Sequence, residues 1–218
     1  MSEYEALTLL VPTLDNAAPA TLAKLILSFH PIQYLPLTET GGSTFADVSG
    51  NGRDASFWGI TPGGATFLDG NPAPLFAANG LINIYSASLS GAFNSGEGTF
   101  VVWLNPTWDA TDPHSIVKIG GASNRFIELG QNAADRYIFY RYDDSVGVGL
   151  QIGHVPSETW ELVVFRWSDA LDVQEALIDG VSIYSATPIG SWTGGLSADY
   201  SVLGAYSTSF QQPYIGSM

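Results

Sequence analysis

The stretch from Trp160 to Tyr184 restricts the possible folds of this chain more than any other part of the sequence. It begins with Glu161–Trp167, a run of β-branched and aromatic residues, and continues with Ser168–Asp172, which supplies turn formers. Asp179-Gly180 then stands between two apolar runs, and this pair suits a type I′ turn because both central residues of that turn need a positive φ. The segment therefore predicts a strand, a turn and a tight β-hairpin in succession.

The composition indicates that the rest of the chain is built in the same way. Of the 218 residues, 24 are glycines, 12% are aromatic and only 13% are charged, whereas a helical protein would carry more Ala, Glu, Lys and Leu. Short apolar runs separated by clusters of Gly, Ser, Asn and Pro follow from residue 32 onward. No period of about 40 to 50 residues repeats, which argues against a propeller or a solenoid. We predict a single all-β sandwich domain.

The first 30 residues differ from the remainder, so we divide the chain into residues 1–30 and a sandwich of residues 31–218. Within the first part, Pro19–Phe29 is predicted to be a short amphipathic helix that stops at Pro31. Its apolar residues recur at helical spacing: Leu22, Leu25, Ile26 and Phe29. Tyr4–Leu14 is apolar and β-branched enough to be a strand or an arm, which either packs on the domain or reaches a neighbouring chain.

The charge and hydropathy of the chain exclude two classes of partner. Seven Lys and Arg residues against 21 Asp and Glu residues produce a formal net charge of −14, which repels phosphate backbones. No apolar run approaches the roughly 18 residues that a membrane span needs. We therefore expect no nucleic-acid partner and no membrane insertion. Solubility explains the acidic charge most simply; a calcium site and repulsion-tuned assembly are the alternatives.

Two further absences concern chemistry and location. The chain has no Cys, which excludes disulfides, thiolate metal sites and cysteine nucleophiles. Glu3 and Glu5 stand where a signal peptide would carry Lys or Arg. We therefore expect synthesis in the cytoplasm without a classical export signal, followed by incorporation into a virion or another extracellular assembly; export by another route and release by lysis remain open.

The order of several motifs resembles a known family. The chain contains, in sequence, SFHPIQYLPLTETGGSTFADVSGNGRDASFWG, ATFLDG, LINIYSASLS, GTFVVWLNP, RFIELG, WELVVFRWS and ALIDGVSIY. This order is similar to that of the laminin-G-like jelly-roll domains in the concanavalin A-like lectin and glucanase superfamily, over about Pro31 to Tyr214. Three positions depart from the family pattern, because Leu35 replaces a Trp, Leu162 replaces a His and Leu68 interrupts an F-D-G motif. The resemblance implies a concanavalin A-like jelly-roll β-sandwich.

The end of the sequence departs further from the family pattern. Such domains usually close with a last strand after a Y-x-G element, whereas this sequence ends with Tyr214–Met218. We therefore expect the closing strand to be missing, with its place taken by the N-terminal arm or by a neighbouring chain, unless the natural chain is longer. An unpaired sheet edge is normally covered or paired, so assembly through this edge, with a protein partner or as a homo-oligomer, becomes a hypothesis.

The loop Asp47–Asp54 is the best candidate for a metal site. Its Asp and Asn side chains and carbonyl groups alternate around glycines, an arrangement that can wrap a hard cation such as calcium. Asp47, Asn51 and Asp54 are the candidate ligands. The family resemblance implies that such a calcium ion is structural and also uses Asp69. The alternative is an Asx-type turn whose side chains cap their own backbone.

The aromatic residues supply the candidates for glycan binding, since a sugar ring stacks on an aromatic face. Trp58, Trp108 and Trp192 are predicted in loops, whereas Trp103, Trp160 and Trp167 are predicted in the core. In RYIFYRYDD, strand alternation puts Tyr137, Phe139 and Arg141 on one face and Ile138, Tyr140 and Tyr142 on the other. We predict ligand binding by Trp58, Trp108, Tyr140, Tyr142 and Trp192. A protein interface is the alternative for the same residues.

Three functional classes follow from these observations. The first is a non-catalytic structural component of a larger assembly, such as a surface decoration or tail-associated protein of a phage virion, and it is our leading interpretation. The alternative is a glycan-binding adhesion module. A glycosidase ranks third because no strand carries the clustered carboxylates that glycoside hydrolysis needs, and we assign no catalytic residue. No nucleophile elbow, zinc-protease helix or phosphate-binding loop is present either.

Overall fold

The structure is a computed structural model that describes residues 19–107, 114–132, 136–143, 146–154, 159–186, 195–205 and 216–218. Helix α1 is Pro19–Ser28 and helix α2 is Ala87–Ala92. The strands are β1 Thr44–Phe45, β2 Ala55–Thr66, β3 Pro72–Asn83, β4 Glu97–Pro106, β5 His114–Ala122, β6 Arg125–Asn132, β7 Arg136–Asp143, β8 Val146–His154, β9 Glu161–Ser168, β10 Val173–Ile178, β11 Val181–Ala186, β12 Ser201–Leu203 and β13 Gly216–Ser217.

All of these strands pair antiparallel in one long path. Its order is β11-β10-β9-β4-β13-β3-β12-β5-β6-β7-β8, and β2 joins β3 on one side and β1 on the other. The path folds over, because β11 and β8 at its two ends come into contact. The predicted all-β sandwich is confirmed.

The predicted hairpin forms where the sequence placed it. β10 and β11 pair antiparallel around Asp179-Gly180, whose φ angles of 48° and 79° are both positive, as a type I′ turn requires. The preceding turn between β9 and β10 contains Asp172, which also has a positive φ of 54°. Local turn chemistry therefore determines this part of the sheet.

The main core lies between the two halves of the folded sheet. β9 is buried at all eight positions, and the largest core side chains include Phe45, Phe76, Leu104, Ile116, Phe165 and Trp167. The indole nitrogen of Trp167 donates to the carbonyl of Ser95 at 3.0 Å. Gly98 permits this packing, because a Cβ at that position would lie 2.6 Å from the Trp167 ring. Trp167 is thus a core residue, as predicted.

Two other tryptophans predicted in the core lie elsewhere. Trp103 packs against Leu162, Val164 and Leu177 on the opposite face of β4, β9 and β10, because strand alternation puts it out of phase with the core residue Leu104. Trp160 precedes β9 and is half-buried. The Phe67 ring makes edge contacts with both indoles, at centroid distances of 5.3 Å and 4.9 Å. These aromatics form a separate outer cluster.

The expectation that the closing strand is missing is wrong. β13 inserts between β3 and β4, with Gly216 opposite Phe76 and Pro106 and Ser217 opposite Leu75 and Asn105. Met218 follows and is buried in the main core. A two-residue strand of this chain therefore lies between β3 and β4. A Gly-Ser pair carries no strand pattern, which is why the sequence did not indicate it.

The predicted amphipathic helix is present as α1. It ends at Ser28, one residue before the predicted end, and His30 follows with a positive φ of 51°. Residues 1–18, including the predicted arm, lie outside the described residues. Neither described helix has the length and apolar content to cross a bilayer.

Candidate functional site

A buried ion pair lies on the face of β5 and β6 that points away from the main core. Lys118 and Glu128 are register partners, and the Lys118 Nζ lies 3.8 Å from the Glu128 Oε2. Their exposed fractions are only 0% and 6%. The ammonium group also lies over the Phe126 ring, 3.5 Å from its centroid, and 5.4 Å from the centroid of Tyr200. Both charged side chains are therefore almost completely buried, which is rare for charged residues unless they are paired.

Burial shifts the pKa of both groups. Burial lowers the pKa of Lys118 from 10.5 to about 7, against the opposing effect of the Glu128 charge. Burial likewise raises the pKa of Glu128, against the effects of Lys118 and of the Ser115 hydroxyl. The charge of each group therefore favours the charged form of the other against the effect of burial. Groups whose pKa values are shifted in this way cluster at functional sites.

The register extends this face across four strands. We call the positions on it the outer rows: Ser115, Lys118 and Gly120 of β5; Phe126, Glu128 and Gly130 of β6; Ile138, Tyr140 and Tyr142 of β7; and Gly147, Gly149 and Gln151 of β8. The alternate positions of β5 and β6, such as Val117, Ile119, Ile127 and Leu129, belong to the main core. Directly opposed residues of an antiparallel sheet share a face, so the outer rows lie on one face of the sheet. The positions of these rows on β5 and β6 are all buried.

Two predicted ligand residues fall within these rows. Tyr140 is the register partner of Glu128, and Tyr142 is the register partner of Phe126. On β8, the positions opposite these two tyrosines are both glycines, Gly149 and Gly147. The register therefore pairs each of these two aromatic positions with a position that has no side chain.

Sequence reasoning missed Lys118 and Phe126 and left Glu128 without a role. A signal for them existed, because Lys118 in IVKI and Glu128 in FIEL each stand as a single charge inside an apolar run, on neighbouring strands. A lone charge in such a run is costly unless it meets an opposite charge. Each of the two charged residues therefore predicts that the other lies next to it on the neighbouring strand.

Of the predicted tryptophan ligands, only Trp58 lies among the described residues, and it is not part of the outer rows. Trp58 was expected in a loop, but it lies in β2, where the register shifts between Trp58 and Ile60. The shift accompanies Gly59, whose positive φ of 67° and close approach to the Asn79 carbonyl produce a local bulge. Trp58 is 39% exposed. Trp108 and Trp192 lie outside the described residues.

The loop that was the candidate metal site is organised by the carboxylate of Asp47. Its Oδ1 accepts hydrogen bonds from the backbone nitrogens of Tyr34 and Ser49, both at 2.9 Å. Its Oδ2 accepts from the Ser49 hydroxyl at 2.8 Å and from the Arg53 backbone nitrogen at 2.9 Å. Burial works to raise the pKa of Asp47, but these four bonds together lower it. Both carboxylate oxygens are directed at protein donors.

The other three candidate ligands make similar local contacts. The Asn51 amide nitrogen donates to the Pro31 and Ile32 carbonyls at 3.2 and 3.3 Å. Asp54 Oδ1 accepts from the Asp47 backbone nitrogen at 2.8 Å, and the Asp69 carboxylate accepts from the backbone and side chain of Asn71. In the part of the chain that the structure describes, no three acidic or His side chains form a metal-binding group. The arrangement fits the alternative interpretation, a loop capped by its own side chains.

Calcium at this loop stays a prediction that a direct experiment can test. We expect the thermal unfolding midpoint of the chain to be the same in millimolar calcium chloride as in EDTA, because the Asp47 oxygens are already used by protein donors. A ligand that binds only the folded state raises the midpoint in proportion to the logarithm of its concentration. A rise that follows the calcium concentration, and is lost in Asp69→Ala, would restore the calcium interpretation.

Comparisons with known proteins show that this β-sandwich fold also occurs in solved structures. The sequence matches no protein-family model and no curated protein. Domain 4 of AbnA, a GH43 extracellular arabinanase from Geobacillus stearothermophilus, solved in complex with arabinotriose, is 19% identical; the match covers 79% of this chain and 82% of that domain, with a TM-score of 0.56. The CBM40 of the Ruminococcus gnavus IT-sialidase, bound to α2,3-sialyllactose, is 16% identical over 60% of this chain and 76% of the module, with a TM-score of 0.50.

A larger enzyme also contains a similar domain. The sialidase of Trypanosoma rangeli is 11% identical, and the match covers 83% of this chain but only 28% of the sialidase, with a TM-score of 0.59. At these identities the likeness establishes the fold, which is a lectin-like β-sandwich. The narrower laminin-G-like assignment stays a prediction. None of these three structures supports the virion interpretation.

Proposed function

We propose that this chain is a non-catalytic, glycan-binding module of the lectin-like kind, and that its ligand lies on the outer rows over β7 and β8. The observation that carries this proposal is the register that aligns Tyr140 and Tyr142 with two glycines of β8 on the face away from the core. The alternative interpretation from the sequence, an adhesion module, thereby takes precedence over the virion component.

The buried ion pair has a supporting role in this proposal. Lys118 and Glu128 are too deeply buried to be the main contacts of a sugar. Lys118 instead packs on Phe126, whose register partner is Tyr142. The pair therefore lies beside the aromatic positions on the same face of the sheet, and a well-packed neighbouring row of this kind helps to hold a binding site rigid.

The same rows argue against glycoside hydrolysis. Hydrolysis by the usual mechanisms requires two carboxyl groups about 5–9.5 Å apart. Glu128 is the single carboxylate among the twelve positions of the outer rows, and its partner is an ammonium group. The chemistry of the rows suits recognition of a sugar rather than cleavage of its glycosidic bond.

A glycan array followed by titration tests the proposal. We expect binding to a defined set of oligosaccharides, with arabinotriose and α2,3-sialyllactose included in the panel because similar folds were solved with them. Tyr140→Ala and Tyr142→Ala should each weaken the best interaction by about tenfold or more, since the aromatic residues that dominate a binding site cost about 2 kcal/mol or more when they are truncated. We expect no cleavage of these oligosaccharides, so the concentration of reducing ends should stay at its background level during incubation.

Trp58→Ala is the matched control, because it removes an exposed aromatic from β2 rather than from the outer rows. The glycan affinity of Trp58→Ala should equal that of the unchanged chain. Binding that is lost in Trp58→Ala and retained in both tyrosine variants would move the site to β2. No binding to any glycan at millimolar concentration would refute the proposed function itself.

A further inference from the structure

One buried cation of this chain has no acidic partner among the described residues. Arg53 lies just before β2 and is only 9% exposed. The other two buried Lys and Arg side chains of the described chain are each paired with a glutamate: Lys118 with Glu128 and Arg166 with Glu175. No described acidic side chain forms such a pair with the Arg53 guanidinium. Charged residues are rarely buried to this degree unless they are paired.

The hydrogen-bond partners of the Arg53 side chain are both neutral oxygens. Its Nε donates to the Ser88 hydroxyl at 3.0 Å, and its Nη1 donates to the Ile32 carbonyl. A guanidinium has five N–H groups, so these two bonds leave three of them without an acceptor in the described chain. The Nη2 nitrogen is not among the buried nitrogens that lack a partner, so it is accessible to solvent. A positively charged edge of Arg53 therefore reaches the surface.

Arg53 is held in place by its backbone as well as by its side chain. Its backbone nitrogen donates to Asp47 Oδ2 at 2.9 Å, and its carbonyl accepts from the Gln33 side chain at 2.6 Å. The Ile32 carbonyl that accepts from its Nη1 also accepts from the Asn51 amide at 3.3 Å. The guanidinium is therefore preorganised, and a preorganised group loses little conformational freedom when it binds a ligand.

The Ser88 hydroxyl supplies a second donor beside the guanidinium. Its oxygen accepts from the Arg53 Nε, and a hydroxyl can donate its own hydrogen at the same time. Ser88 is exposed, and in the part of the chain that the structure describes its hydroxyl donates to no protein acceptor. Donors without acceptors thus lie on neighbouring side chains, next to a positive charge. Such a group suits an anion that has more than one oxygen.

The charge of the surroundings favours a singly charged anion over a doubly charged one. The chain has a net charge of −14, and Asp47 and Asp54 stand in the same loop as Arg53. This negative field repels a doubly charged phosphate more strongly than a group with one charge. A carboxylate carries one charge and is planar, and a guanidinium binds it through parallel N–H···O bonds.

We propose that Arg53 and Ser88 form a binding site for the carboxylate of a small acid. The carboxylate oxygens accept from the free N–H groups of Arg53 and from the Ser88 hydroxyl. The acid is either a free organic acid or an acidic sugar of the uronic acid kind, because both carry the same group. The site lies beside α2 and the start of β2, whereas the proposed glycan surface lies over β7 and β8. Binding here therefore does not depend on glycan binding at the outer rows.

An NMR titration of the arginine side chains in the ¹⁵N-labelled full chain tests this site. Sodium acetate or sodium glucuronate replaces sodium chloride at a constant ionic strength of about 0.15 M, and glucose is the neutral control. We expect both carboxylates to shift the Nε–Hε signal of Arg53 and to saturate it, with a Kd of about 1–10 mM. Glucose should leave the signal unchanged. A Kd that is several-fold lower for glucuronate identifies an acidic sugar as the ligand, and equal Kd values identify a free acid.

Two variants and a matched control assign the binding to this site. Arg53→Lys keeps the charge but loses the planar fork, so the affinity for acetate, read from the Ser88 backbone amide signal, should fall by about tenfold. Ser88→Ala removes one donor and should weaken acetate binding several-fold, read from the Arg53 signal. Lys24→Gln is the control, because it removes one positive charge from an exposed residue of α1. Its affinity for acetate should equal that of the unchanged chain.

Three results would overturn the proposal. The first is an Arg53 signal that does not shift, or that shifts without saturating, up to about 100 mM carboxylate, well above the expected Kd. The second is an equal loss of affinity in Arg53→Lys and Lys24→Gln, which would assign binding to net charge alone. The third is tighter binding of inorganic phosphate than of acetate, which contradicts the carboxylate preference. The titration of the unchanged chain decides the first and third results, even if a variant fails to fold.

Discussion

Replacing Lys118 with Met is expected to lower the free energy of unfolding by about 3–5 kcal/mol, measured by urea denaturation. The methionine fills the same space, but it leaves the buried Glu128 carboxylate without its neighbouring cation. An isolated charge in a low-dielectric region is far more costly than the paired charges were. The Phe126 ring also loses the ammonium group 3.5 Å from its centroid. The loss should therefore exceed that of an ordinary surface substitution.

The double variant Lys118→Met/Glu128→Gln is the matched control for this prediction. It removes both charges, so its free energy of unfolding should return to within about 1 kcal/mol of the unchanged chain or rise above it. The difference between the single and double variants measures the coupling of the pair. A double variant that is less stable than Lys118→Met would show that the loss comes from packing and not from the unpaired charge.

The pH dependence provides a second signature of the same pair. The folded-state pKa of Lys118 is about 7 and the ordinary value is 10.5, so between these values the unfolded chain binds more protons than the folded one. The contribution of Lys118 to the free energy of unfolding therefore increases as the pH rises from about 7 to 10.5. The rise should be absent in the double variant. A similar slope in both proteins would assign the pH dependence to other groups.

Replacing Asp47 with Ala is expected to lower the free energy of unfolding by about 2–3 kcal/mol, because charged acceptors form the stronger hydrogen bonds of a folded protein. The carboxylate accepts four bonds from Tyr34, Ser49 and Arg53. The Arg53 side chain, which donates to the Ile32 carbonyl and to Ser88, should become less well held. Denaturation of the variant in urea measures the loss.

Asp54→Ala serves as the comparison for Asp47→Ala. Asp54 is exposed and accepts one bond from the backbone of Asp47, so its replacement should cost about 1 kcal/mol or less. The Asp47 pKa is lowered below 3.8 in the folded chain. Its stabilising effect is therefore complete above that value and is lost as the pH falls through the folded-state pKa. Equal losses for the two variants at neutral pH would contradict the central role of Asp47.

The parts of the fold that could be predicted are those that local chemistry determines. The hairpin at Asp179-Gly180 formed as expected, because a two-residue turn with positive φ at both residues has few alternatives. Helix α1 followed from its apolar spacing and the proline after it. β13 was missed, because its position depends on contacts with β3 and β4, which are more than 100 residues away along the chain. Long-range pairing of this kind leaves no local pattern.

The candidate site was predictable only in part for the same reason. Strand alternation grouped Tyr140 with Tyr142, but it could not tell which face of β7 meets the core. The register with β6 is a long-range relation that alternation does not contain: Phe139 pairs with the core residue Leu129, and Tyr140 pairs with Glu128. The Lys118–Glu128 pair required the same register. Trp58 was placed in a loop because its glycine neighbour suggested a turn, whereas Gly59 forms a bulge within β2.

The position of β12 has a consequence for how the sheet holds together. Among the described strands, only the three residues Ser201–Leu203 connect β5 to β3 by ladder hydrogen bonds. Few ladder bonds therefore join the β5–β8 meander to the rest of the sheet. Its attachment depends instead on the side chains that β5 and β6 contribute to the main core, such as Val117, Ile127 and Leu129. A ligand bound to the meander would therefore stabilise the whole domain through this shared core.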